Sequence, residues 1–144
     1  MTPGHLDLVR AFFAGAPDDL VAAIEDPAWV EAATEGLGPL LAPDFEFVTV
    51  SQSVGMPGTR KGVDGFFAAY RAYAEMWQSY SVRPERFVEV GDKVLVEARI
   101  SGITRTGGVP LEQDVAAVYT FDDGRIRRIE EFSDVASAHA AASA

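Results

Sequence analysis

From Ser79 onward the chain carries one unbroken β pattern, and this constrains the fold more than any other feature. Four segments, Tyr80–Val90, Lys93–Thr104, Leu111–Phe121 and Arg125–Phe132, are rich in Val, Ile, Tyr and Phe. They are separated only by Gly91–Asp92, Arg105–Pro110 and Asp122–Gly124. Connections this short predict an antiparallel meander, and Asp123–Gly124 is a tight-hairpin signal. Strands of this length twist, so the sheet must coil. An apolar sheet face needs a cover, and helices N-terminal to the meander are the cover on offer. The expected class is α+β, with N-terminal helices packed on a strongly curved, mainly antiparallel sheet.

The first third supplies those helices. Leu6, Val9 and Phe13 space a helix over His5–Ala14, with Leu8 and Phe12 widening its stripe. Asp18–Ile24 continues with Leu20, Val21 and Ile24 after a Pro17–Asp18 start signal. Pro27 opens a third helix through Val30, Ala33 and Leu37, loosened by Gly36 and Gly38 and closed by Pro43. Asp44–Val50 alternates as a strand, with Phe45, Phe47 and Thr49 on one face. Ser51–Gly62 holds three glycines, a proline and the adjacent cations Arg60 and Lys61. It predicts a loop, one able to gate a pocket mouth with Met56 as its apolar tip. The clearest helix is Val63–Trp77, where Val63, Phe66, Phe67, Tyr70, Ala74 and Trp77 form a continuous stripe. The alanine-rich tail, Val135–Ala144, predicts a short terminal helix.

At 144 residues the chain suits one domain, taken as 1–144, and 48% apolar residues supply its core. A net charge of −10 repels phosphate backbones and anionic lipid, so neither nucleic acid nor membrane is an expected partner. The chain has no cysteine, and its two histidines, His5 and His139, lie at opposite ends. Thiol chemistry is excluded, and no metal site is expected. No early apolar run is long enough for a signal peptide or a membrane span, so the expected location is cytoplasmic. Phosphate-loop, dinucleotide-binding, nucleophile-elbow and zinc-protease signatures are all missing. No cofactor is expected.

Three segments share a family resemblance. Gly58-Thr-Arg-Lys-Gly-Val-Asp-Gly-Phe66 resembles the G-x-x-x-G-x-x-G-[FI] approach to the long helix of NTF2-like proteins. Pro84-Glu-Arg-Phe-Val-Glu-Val-Gly-Asp-Lys-Val94 resembles their strand–turn–strand. Val118-Tyr-Thr-Phe-Asp-Asp-Gly-Arg-Ile126, followed by Glu131-Phe-Ser-Asp134, resembles their last hairpin. The resemblance spans roughly residues 39–137 and is greatest to the SnoaL-like branch, which includes polyketide cyclases and is akin to ketosteroid isomerases. It implies a conical apolar pocket, a small hydrophobic ligand and a homodimer formed through the sheet. The helix over Asp26–Leu40 is extra to the usual pattern.

The resemblance also nominates residues. In the cyclases the acid/base carboxylate stands seven residues after the turn glycine, which here gives Glu131 from Gly124. Apolar pocket walls raise a carboxyl pKa, which suits proton transfer near neutral pH. The plainer alternative makes Glu131 a solvated strand residue or an ion-pair partner. Adjacent Glu130 and Glu131 must point to opposite faces. The partner groups of related mechanisms are not retained. Their positions fall on Thr49, on Ala117, and on Ala98 and Ile100. Strand parity puts Gln113, Ala117 and Tyr119 inward, with Gln113 as a ligand hydrogen-bond donor. Phe47, Phe66, Tyr70 and Trp77 complete the expected ligand wall, and Thr49 adds a hydroxyl. The implied activity is cofactor-independent proton transfer on a hydrophobic carbonyl compound, of isomerase or cyclase type. The alternatives are a non-catalytic binder with the same pocket and an epoxide-hydrolase-like enzyme.

Overall fold

The computed structural model describes residues 4–49 and 58–144. In chain order the elements are α1 (His5–Ala14), α2 (Leu20–Ile24), α3 (Pro27–Leu37), a 3-10 turn (Gly38–Leu40), β1 (Leu41–Thr49), β2 (Gly58–Lys61), α4 (Gly62–Met76), β3 (Trp77–Val90), β4 (Lys93–Thr104), β5 (Pro110–Asp122), β6 (Arg125–Phe132) and α5 (Val135–Ser143). The sheet order is β2-β1-β6-β5-β4-β3. Only β1 against β6 is parallel. This is the expected α+β architecture.

Local chemistry sets the element ends. Asp19, Asp26 and Asp134 sit at helix N-caps, and each accepts a hydrogen bond from the amide two residues on. Pro27 occupies the first turn of α3, where its missing N–H costs nothing. The β5–β6 hairpin turns on Asp123 (φ 52°) and Gly124 (φ 76°), the left-handed pair a two-residue turn requires.

Four expectations need correction. β1 begins at Leu41, so Pro43 lies within the strand rather than closing the segment before it. Trp77 opens β3 instead of ending the helix. Gly58–Lys61 is not loop: it pairs with the edge of β1, Thr49 opposite Gly58 and Glu46 opposite Lys61. A free strand edge recruits whatever backbone lies beside it, even a short charged stretch with little β propensity. Gly62 opens α4, and residues 51–57 of the expected gating loop, Met56 among them, lie outside the described residues.

The fourth correction concerns the sheet's convex face, which α5 covers. Leu95, Ala116, Val118 and Phe132 form a second core cluster with Ala138 and Ala142 of α5. The main core lies on the other, concave face, where Val9, Phe45, Phe67, Val94 and Ile126 are almost wholly enclosed. Helices α1, α2, α3 and α4 pack on this side and leave a cavity at its centre.

Candidate active site

Strand register places the key side chains. Glu131 of β6 stands opposite Thr49 of β1 and Ala117 of β5, and Ala117 stands opposite Val96 of β4. One row toward the hairpin, Phe47, Ile129, Tyr119 and Val94 repeat the alignment. Directly paired residues share a face, so both rows point into the cone. On β4, Val94, Val96, Ala98 and Ile100 are buried inward. Arg99 points the other way, where it pairs with Glu112 and Asp114 at 3.0 Å.

The cavity measures about 410 Å³, within the range of small-molecule sites. Phe47, Phe66, Tyr70, Ala117, Tyr119 and Glu131 all line it. Its helical wall includes Phe12, Phe13 and Gly15 at the end of α1 and Trp29, Ala33 and Gly36 of α3. The extra helix thus forms part of the wall, and the edge of Trp29 packs on Phe67. Among the described lining residues, Glu131 is the only acid, and no Lys, Arg or His is present.

Glu131 is partly accessible, but the surface it leaves bare faces this cavity. Loss of hydration raises its pKa to about 7, against a usual 4.5. The Tyr73 hydroxyl donates to Glu131 Oε1 at 3.1 Å, which opposes that rise. Burial and the nearby Glu131 charge push the phenols of Tyr70, Tyr73, Tyr80 and Tyr119 upward. They remain protonated, and so available as donors, across the physiological range. The site therefore holds one carboxyl able to gain or lose a proton near neutrality, in an apolar chamber with neutral hydroxyls around it.

Three expected site residues stand elsewhere. Gln113 has the predicted inward parity but does not line the cavity; its amide donates to the Ser133 carbonyl at 3.2 Å. Trp77 lies behind the wall, against Tyr80 with ring centres 5.3 Å apart. Thr49 is enclosed beside Glu131 but contributes no cavity surface. Its Oγ1 meets no partner at good hydrogen-bond geometry, although its proximity eases ionisation of the Tyr73 phenol. Conversely, Phe12, Phe13 and Trp29 line the cavity although the sequence did not single them out for it. The only available signal was aromatic content beyond what one helix stripe needs.

A coiled mixed sheet with helices over its concave face and a chamber between them defines the NTF2-like pocket fold. Residues 21–129 match the SnoaL-like domain family, and the chain belongs to that family. The matched span stops short of Glu131. No curated protein matches the chain. Among solved structures, an NTF2-like protein from Burkholderia thailandensis is similar at 24% identity with a TM-score of 0.71, over 99% of this chain and 98% of that one. A candidate SnoaL-like polyketide cyclase from Jannaschia is similar at 19% identity with a TM-score of 0.65, over 97% and 92%. TerC, co-crystallised with polyporic acid, is similar at 22% identity with a TM-score of 0.67, over 97% and 98%. These likenesses show the fold. Among the described residues no helix is long and apolar enough to cross a membrane.

Proposed function

We propose that the protein is a cofactor-independent enzyme that moves a proton on a small hydrophobic carbonyl compound, in an isomerisation or cyclisation. The supporting observation is Glu131, an acid facing an otherwise apolar cavity with its pKa raised to about 7. As carboxylate it takes a proton from the carbon next to the carbonyl; as acid it returns that proton to another carbon or oxygen of the same molecule. A carboxyl balanced near the working pH can do both. The phenols of Tyr70 and Tyr119 line the same chamber and are suited to hold the oxygen that gains charge. The lack of a lining cation among the described residues favours a ligand that is not anionic within the cavity. A small-molecule ligand also accords with TerC, a relative of the same fold crystallised with polyporic acid.

A second reading has an observation behind it. Thr49 and Ala117 flank Glu131 where related mechanisms place a second ionisable group. A binder using the cavity without turnover would need neither. Epoxide hydrolysis is the weaker alternative, because buried Ala98 and Ile100 replace the pair that positions water.

The deciding experiment incubates the protein with apolar ketones and diketones in D₂O and follows deuterium uptake beside the carbonyl by mass spectrometry. Catalysed exchange that disappears in Glu131→Gln supports the enzyme. Ligands that bind without exchange in either protein support the binder.

The homodimer is proposed on changed grounds. Leu95 and Val118, on the sheet face through which a dimer was expected, lie under α5. Among the described residues Met76, Ile103, Val109 and Leu111 are the exposed large apolar side chains, and the last three, close together at the β4–β5 hairpin end, are the ones suited to it. Light scattering showing only particles of 15.5 kDa, the mass of one chain, would count against it.

A further inference from the structure

We propose that Tyr73 is a positioning residue, whose phenol holds Glu131 Oε1 and leaves Oε2 as the oxygen that exchanges a proton with the ligand. The inference builds on the acid/base reading of Glu131. Tyr73 does not line the cavity and is only 2% exposed, so it can act on a ligand only through the carboxyl it touches. The hydroxyl donates at 3.1 Å to Oε1, and a donor fixed there directs the acid's own proton to the other oxygen. The terminal torsion of a free glutamate is broad, so without this contact the two oxygens would interchange.

Tyr73 is held in place from behind. Its ring contacts Tyr70 and Tyr80 at centroid distances of 5.3 and 5.4 Å. Tyr80 is fixed through its own backbone, whose N–H donates to Asp19 at 3.1 Å, and by the indole of Trp77. Trp77 in turn lies against Gly102, where an added Cβ would come within 2.7 Å of the indole and 2.5 Å of the Ser79 carbonyl oxygen. A tight chain of contacts therefore runs from β4 to the carboxyl. This gives Trp77 a supporting place behind the wall.

The titratable groups facing Glu131 are Tyr70 and Tyr73 from α4, Tyr80 from β3 and Tyr119 from β5. Helices α1, α2 and α3 and strands β1 and β4 contribute no ionisable group to the described lining. Of the four phenols, Tyr73 is the one with a hydrogen bond to the carboxyl. A donor to a carboxylate favours the charged form, so its removal must move the Glu131 midpoint upward.

The test is a ¹³C NMR pH titration of the protein labelled at glutamate carboxyls, with Glu131→Gln identifying the signal. Tyr73→Phe keeps the ring and removes the hydroxyl. It should raise the Glu131 midpoint by about one pH unit, a tenfold change in its acid constant. Tyr70→Phe should move it much less. An unchanged midpoint in folded Tyr73→Phe would overturn the proposal. A second measurement needs no variant: the wild-type Tyr73 hydroxyl proton should show a nuclear Overhauser effect to the Glu131 methylenes, and absence of that contact throughout the titration would also overturn it. A wild-type midpoint near 4.5 would instead remove the acid/base reading, while the response to Tyr73→Phe would still decide the role of Tyr73.

Discussion

Glu130 and Glu131 are the same side chain on consecutive positions of one strand, and they serve opposite faces of the sheet. Glu130 turns to the convex side, where Arg128 lies 3.8 Å away. Glu131 turns into the cone, with Thr49 and Ala117 on either side and the Tyr73 hydroxyl at its Oε1. The two faces differ in the same way throughout. The concave face encloses aromatic rings, hydroxyls and one acid around a cavity. The convex face is apolar and buried where α5 covers it, and elsewhere carries paired charges such as Arg99 with Glu112 and Asp114. What makes a carboxyl chemically useful here is the face it is turned to, because hydration is lost on one side only.

The comparison breaks most visibly through the two glutamates. Glu131→Gln keeps the volume and removes the ionisable group, and should lower turnover by roughly 10²–10⁴-fold. Glu130→Gln should leave it nearly unchanged. Equal losses in kcat/KM from the two variants would mean that the faces do not differ as described.

Core residues should separate stability from chemistry. Leu95→Ala opens a hole beneath α5 and should cost about 2–5 kcal/mol in chemical denaturation, with turnover per folded molecule retained. Ala117→Leu should do the reverse. Its new atoms enter the cavity beside Glu131, so ligand affinity should fall at least about tenfold while stability changes by less than about 1.5 kcal/mol. The smallest expected effect is on the α3 wall of the cavity. Gly36 lies within α3 and a Cβ there meets open space, so Gly36→Ala should stabilise by about 0.5–1 kcal/mol.

Much of this contrast was legible in the sequence. Strand parity alone put Gln113, Ala117 and Tyr119 inward, the face on which β5 meets the buried Ile100, Val96 and Val94 of β4. Parity fixes a face but not a depth, and this is why Gln113 was misjudged: it faces inward yet lies too near the start of β5 to reach the cavity. Similarly, the stripe on α4 identified a buried side, but its spacing holds no record of a partner 58 residues away, so the contact between Tyr73 and Glu131 was not legible. The terminal helix was anticipated, though not its seat. Alanines give little hydrophobic asymmetry, and docking of α5 depends on the convex cluster formed by β4, β5 and β6. β2 was missed because edge pairing, more than local propensity, makes it a strand.

The proposed chemistry turns on Glu131 being a carboxyl held out of water in the folded protein. The most direct test compares the unfolding free energy of the wild type and Glu131→Gln as a function of pH. The unfolded chain ionises this group near 4.5 and the folded chain near 7, so between those values the folded state holds the extra proton. Wild-type stability should therefore be greatest below pH 4.5 relative to the variant, and should fall against it by roughly 2–3 kcal/mol as pH rises to 7. Above 7 the difference should stay constant. A stability difference that is flat from pH 4 to 8, or that grows in favour of the wild type as pH rises, would contradict the claim.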